Sequence, residues 1–226
     1  MDALIFDFDG VIVDSEPVHL ACFRQVLAGA GVDLSREDYY GKYLGDDDHD
    51  CFAAALAAAV HEADEERIAD MIRAKSRLVR ETYAGRVTPL PGAAELVRSA
   101  AAARVPLAIC SGALREEIEQ AARAVGVLDC FAVIVAARDV KRGKPDPEGY
   151  RLALDRLRAA TGRALRAEAG VVVEDAPAGI DAAKGAGLKV LAVTNSYPPA
   201  ALHRADRVVA SLEDVSVSDL EALAKS

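Results

Sequence analysis

Basic residues are the minority charge in this chain, with 27 lysines and arginines against 36 aspartates and glutamates and a formal net charge of −9. A surface of that sign does not suit nucleic acid or an anionic membrane, either of which selects for a basic face. No apolar run approaches the roughly 18 residues needed to cross a bilayer, and the first residues hold no basic segment leading into a signal-type hydrophobic core. Cytoplasm is the expected compartment, and a monomer is the default. Cysteine is sparse too. Cys22, Cys51, Cys110 and Cys130 are scattered through apolar settings without CxxC spacing, so they read as buried, reduced thiols rather than a disulfide or metal site. What the chain has in quantity is core material. With 226 residues, 52% of them hydrophobic, it is long enough for one large domain or a domain carrying a smaller insertion.

Five short apolar runs, at 3–8, 105–110, 132–137, 170–175 and 189–194, are rich in β-branched residues and bounded by turns or charges, as strands buried on both faces are. Helical patterns over 92–103, 113–125, 147–160 and 176–186 separate the later runs, the last ending before Gly187 as a C′ glycine. Strand alternating with helix predicts an α/β protein with a doubly wound, Rossmann-like parallel sheet. The first strand breaks this rhythm, because helix-forming sequence fills the interval up to the second. Residues 15–88 therefore read as an inserted four-helix cap, with Ser35 and Asp38 spaced like a capping box, and 1–14 plus 89–226 as the sheet domain. The crossings between the two fall near Asp14–Pro17 and Gly85–Pro91, short segments suited to a hinge.

In a doubly wound sheet, ligands bind beyond the carboxyl ends of the strands. The first strand ends in Asp7 and Asp9, the second in Ser111 and the fourth in Glu174 and Asp175, while the segment after the third brings Lys144. Carboxylates crowded at one edge cannot all ionise cheaply, since each raises its neighbour's pKa, and a cation resolves the conflict. Oxygen-only ligands with no His or Cys nearby suit Mg²⁺, which keeps waters and accepts phosphate oxygens. An ammonium and a hydroxyl beside it point to a phosphate. Asp7 is then placed to attack phosphorus, and Asp9 to protonate the leaving oxygen and later take a proton from water. Gly10 permits the sharp turn after them. Ser111, Gly112 and the following amides offer donors to the phosphoryl oxygens, and Lys144 neutralises the nucleophile and the group it receives. On "DFDG" alone, a solvated strand-end turn explains as much.

"DFDGVIVD", the "SG" after the second strand, "GKPDP" and "VVVEDAPAGI" resemble, in order and spacing, the four motifs of the haloacid dehalogenase superfamily, and the inserted helices resemble its C1-type cap. Within it the chain is similar to the β-phosphoglucomutase and phosphoglycolate-phosphatase-like branch. The resemblance implies Asp7 as nucleophile, Asp9 as acid/base, and Mg²⁺ held by the Asp7 side chain, the Asp9 main-chain carbonyl and Asp175, with Glu174 a nearby or water-mediated partner. An acidic Asp9 sets the chain apart from the dehalogenases themselves and from phosphonate-cleaving members, and implies a small phosphate ester as substrate.

The cap positions divide. His19 resembles a cap-hinge histidine that partners the acid/base, although a satisfied histidine at a helix start fits as well. Lys75 falls near a substrate-contacting cap lysine of that branch, offset by about two residues, so that a surface lysine is the competing reading. In "LGDDDHD" an aspartate, Asp48, stands where mutases of the branch carry an arginine for a second phosphate, and His49 follows as a further candidate contact. Three aspartates would repel a second phosphate, or would simply favour a helix N-terminus. The expected activity is a phosphatase acting on a small phosphorylated metabolite. A phosphomutase moving phosphate within a sugar is the alternative, and a non-catalytic binding module on the same fold is the third reading.

Overall fold

The computed structural model describes residues 1–43, 48–59, 64–82 and 87–226, which divide into two compact units, Met1–Asp14 with Thr88–Ser226 and Ser15–Val87. The first unit is built on a six-stranded parallel sheet. In chain order its elements are β1 (Ala3–Phe6), the two-residue strands β2 (Val13–Asp14) and β3 (Thr88–Pro89), helix α5 (Ala93–Ala102), β4 (Leu107–Cys110), α6 (Arg115–Val125), β5 (Val133–Val135), α7 (Glu148–Thr161), β6 (Gly170–Glu174), α8 (Pro177–Gly185), β7 (Lys189–Val193), β8 (Arg207–Val209) and α9 (Val217–Leu223). Helices α1 to α4 belong to the second unit.

The strands run β5-β4-β1-β6-β7-β8, every neighbouring pair parallel, with Ile5 opposite both Ala108 and Val172. Strand order therefore reverses at β1, and the crevice beyond its carboxyl end is where this topology binds ligands. Both faces of the central strands are apolar, as a doubly covered parallel sheet requires. Ala3, Ile5, Ala108, Val172 and Val190 pack with Tyr150, Leu154 and Leu157 of α7 and Ile180 and Ala183 of α8. The alternating set, Leu4, Phe6, Ile109 and Val173, is equally buried on the opposite face.

The anticipated sheet is present with one strand more, since β8 was not foreseen. Only three residues long and partly exposed, it lacks the apolar run that betrays a buried strand. At the opposite edge, the outward carbonyl of Ile134 in β5 accepts bonds from Arg115 (2.8 Å) and Arg156 (3.3 Å). Both guanidinium groups also bind Asp139, at 2.8 and 3.0 Å, one to each carboxylate oxygen.

The second unit holds α1 (Glu16–Gly29), α2 (Arg36–Asp38), a π-helical turn over Tyr39–Tyr43, α3 (Asp48–Ala58) and α4 (Glu65–Thr82). Ser35 caps α2 by accepting the Asp38 amide at 2.9 Å, as its spacing suggested. Among the described residues α1, α3 and α4 are regular helices, while α2 and the π-helical turn after it form one short helical segment. Phe23, Leu27, Tyr39, Phe52, Leu56 and Ile68 form a core separate from that of the sheet. Within the described residues, no helix is long and apolar enough to cross a membrane.

Candidate active site

The ladders stop at or just before the charged residues. β1 ends at Phe6 and β6 at Glu174, so Asp7, still tied by its amide to the Val173 carbonyl (2.9 Å), emerges at the sheet edge beside Glu174 and Asp175. These three carboxylates are all buried, and one oxygen from each lies within 4.8 Å of the others. Lys144, in the loop between β5 and α7, lies between them. Its Nζ is 2.7 Å from Asp7 Oδ1 and 2.6 Å from Glu174 Oε1.

Alternation along β6 explains the different surroundings of its two acids. Glu174 shares the face of Val172 and reaches the α7–α8 layer, where it is fully buried. Its Oε1 accepts Lys144 and the Tyr150 hydroxyl (2.8 Å), and its Oε2 accepts the amides of Asp175 (2.9 Å) and Ala176 (3.1 Å). Gly179 makes room for it. A Cβ there would stand 1.6 Å from Glu174 Oε1. Asp175 instead meets the turn after β1, where Gly10 adopts φ +75° and a Cβ would lie 1.9 Å from Asp175 Oδ2. The Ser196 hydroxyl donates to that same oxygen.

The charges are unbalanced. Asp7, Glu174 and Asp175 carry three negative charges when ionised and Lys144 returns one, leaving a local charge of −2 in a poorly solvated place. Burial pushes the Asp7 carboxyl well above its ordinary range, the nearby Glu174 and Asp175 add to this, and Lys144 opposes it. Burial and then Glu174 push Asp175 up to about 7, against the hydroxyl of Ser196 and the ammonium of Lys144. Burial would lower the Lys144 pKa, but Asp7 and Glu174 outweigh it and raise the pKa instead, so the ammonium stays charged. A divalent cation would cancel the remaining charge, and hard carboxylate oxygens with no soft donor among them suit Mg²⁺.

Ser111 follows β4, with Oγ 3.5 Å from Asp9 Oδ2 and accepting the Ala113 amide at 3.0 Å. The Leu114 amide is bonded to Glu117 (3.0 Å), so two of the amides anticipated as phosphate donors already have partners. Gly112 borders open space. A cavity of 220 Å³ reaches Ser111, Gly112 and Lys144 and is walled by Cys110 and Tyr150. A wider groove of 990 Å³, between α5 and α9, holds none of these groups.

Asp7, Asp9, Gly10, Ser111, Gly112, Lys144, Glu174 and Asp175 are thus gathered at one end of the sheet, while the remaining candidates belong to the helical unit. His19 is half-buried in the first turn of α1. His49 is partly exposed, its ring nitrogens 3.2 Å from Asp50 and from Glu65, and these hydrogen bonds raise its pKa. Lys75 is no surface lysine. Only 4% exposed, it lies over the Phe23 ring (3.9 Å to the centroid) and pairs with Asp48. Residues 44–47 of "LGDDDHD" and 83–86 of the second crossing lie outside the described residues.

Three polar neighbours of the site went unread in the sequence. Tyr150 supports Glu174 from α7, and Asn195 and Ser196 follow β7, with the Asn195 Nδ2 donating to the Gly10 carbonyl at 2.8 Å. The strand-end rule applied to the first four strands would have found the last two at the fifth.

Comparison with known proteins agrees with this arrangement. The chain is 32% identical over 212 residues, 93% of its length and 94% of the relative's, to validoxylamine A 7'-phosphate phosphatase of Streptomyces hygroscopicus subsp. limoneus. It is 31% identical to hexitol phosphatase A of Escherichia coli over 95% of this chain and 93% of that one. Its fold superposes on the crystal structure of CbbY from Rhodobacter sphaeroides in complex with phosphate, with a TM-score of 0.80 and 29% identity over 98% and 99% of the two chains. The profile of the haloacid dehalogenase-like hydrolases matches residues 1–187, and the chain belongs to that family.

Proposed function

We propose that the protein is a Mg²⁺-dependent phosphatase hydrolysing the phosphate monoester of a small, sugar-like metabolite through an aspartyl-phosphate at Asp7. The observation that carries the reading is the Lys144 ammonium bridging Asp7 and Glu174 beside Asp175. Two of the relatives reported above are named as phosphatases, one of validoxylamine A 7'-phosphate and one of hexitol type.

Asp7 and Asp175, with the main-chain carbonyl of Asp9, would hold the ion. Glu174 would not hold it directly, because four donors already occupy its two oxygens. When bound, Mg²⁺ would offset the charge of the carboxylates and of the phosphate. Lys144 holds one Asp7 oxygen and neutralises it, which leaves the other directed at phosphorus. Asp9, beside Ser111, gives its proton to the departing alcohol oxygen and then takes one from the water that cleaves the acyl phosphate. Ser111 and Gly112 contact the phosphoryl oxygens.

A phosphomutase would need a cationic place in the cap for a second phosphate. Lys75 is instead neutralised by Asp48, the residue standing where mutases of this branch carry arginine, which favours release of phosphate to water. Assay of phosphate release and of isomer formation on a panel of sugar phosphates, with Asp7→Asn as control, tests the reading. Metal-dependent turnover lost in Asp7→Asn is expected. Turnover that survives the substitution, or isomer outpacing phosphate, overturns it.

A further inference from the structure

We propose that Asn195 and Ser196, consecutive residues beyond β7, are positioning residues that act through the ion-binding side of the site, and this rests on the metal reading above. Their two side chains divide between the two segments that would supply oxygen ligands. Ser196 Oγ donates its one proton to Asp175 Oδ2. That bond fixes the carboxylate about its terminal torsion, a soft and roughly two-fold rotation when nothing holds it, and presents Oδ1 as the remaining donor. Asn195 Nδ2 donates to the Gly10 carbonyl at 2.8 Å, while the Gly10 amide donates to the Val13 carbonyl, also at 2.8 Å. With both polar groups of Gly10 engaged, the Asp9–Gly10 peptide and the Asp9 carbonyl within it are held in one orientation.

The two contacts are mechanically joined. A Cβ at Gly10 would come 1.9 Å from Asp175 Oδ2 and 2.8 Å from Ser196 Oγ, so turn, carboxylate and hydroxyl are packed together, with the absent side chain of Gly10 making their approach possible. Asn195 is itself exposed, and a hydrogen bond at an exposed position adds little to folding. Its effect on the site is therefore separable from stability. Groups that orient ligands from behind change metal affinity or activity by roughly 10–100-fold when removed.

The test is calorimetric titration of MgCl₂ into the full chain without substrate, alongside steady-state hydrolysis of p-nitrophenyl phosphate. Ser196→Ala is expected to weaken Mg²⁺ binding by roughly 10–100-fold, and Ser196→Thr, which keeps the hydroxyl, to restore it. Asn195→Ala and Asn195→Asp, both lacking the amide donor, are expected to lower kcat by about tenfold or more with KM and thermal stability unchanged. Wild-type affinity in Ser196→Ala, or equal weakening in Ser196→Thr, overturns the assignment of Ser196, and unchanged kcat in both Asn195 variants overturns that of Asn195. A wild-type chain that binds no Mg²⁺ refutes the metal reading itself, and this inference with it.

Discussion

Replacing Gly179 with alanine sets two physical effects against each other. By helix propensity alone the change within α8 stabilises, by about 1 kcal/mol. The new Cβ, however, would fall 1.6 Å from Oε1, 2.0 Å from Cδ and 2.4 Å from Oε2 of Glu174, so the carboxylate must leave its place. Glu174 has nowhere to go without breaking bonds, since it is fully buried and accepts from Lys144, Tyr150 and two main-chain amides. Hydrogen bonds to a charged group contribute about 1.5–3 kcal/mol each, and losing two of the four costs about 3–6 kcal/mol. The net is a destabilisation of about 2–5 kcal/mol once the propensity gain of about 1 kcal/mol is subtracted. For a chain of this size that lowers Tm by about 5–20 °C. Lys144 would lose one of its two anchors, so kcat should fall beyond what unfolding explains at temperatures where the variant remains folded. Calorimetric unfolding, paired with hydrolysis of p-nitrophenyl phosphate at 20 °C below each variant's Tm, measures both. A Gly179→Ala chain that melts at or above wild type, with full activity, would show that Glu174 is not held as described.

Dialysis against a chelator should abolish turnover and added Mg²⁺ restore it; activity persisting after exhaustive chelation contradicts the charge argument. Asp139→Asn should reveal the stability stored in the Arg156 and Arg115 contacts, which hold the Asp139 pKa down to about 2. Because the folded pKa is depressed, that stability is fully present above the ordinary carboxylate pKa of about 4 and is lost as pH falls towards 2; urea unfolding of the two proteins should differ by about 1–2 kcal/mol at neutral pH and converge in acid. Asp48→Asn leaves the Lys75 ammonium buried without its carboxylate and should destabilise the helical unit by about 1–3 kcal/mol, which adding Lys75→Met should recover; hydrogen exchange of α3 and α4 reads this directly. Cys110, whose thiol burial pushes up to about 12, should resist thiol reagents at pH 8 until the chain unfolds, as mass spectrometry of labelled peptides would show.

The carboxylates nearest the chemistry were legible because they directly follow or end an apolar run. Asp7 and Asp175 stand where β1 and β6 leave the sheet, so finding the strands located the carboxylates. β8 escaped because an edge strand needs no continuous apolar run, and β2 with β3 because two residues carry no period. The burial of Lys75 was less legible for a different reason. Ile68, Met71, Lys75 and Val79 are the buried residues of α4, spaced along one helical face, but the charge of a lysine argues for the surface while its spacing argues for the core. Tyr150 was beyond reach, since nothing local in α7 tells that its hydroxyl ends against a carboxylate 24 residues away.

The two arginines on the Ile134 carbonyl also limit how this sheet can grow. An outer strand with open hydrogen-bonding groups invites another chain to continue the ladder. On this side the invitation is withdrawn, because an incoming strand would have to displace two guanidinium groups that Asp139 also anchors. Aggregation by strand addition should therefore begin elsewhere, and loss of Asp139 would open a flank that the native chain keeps closed.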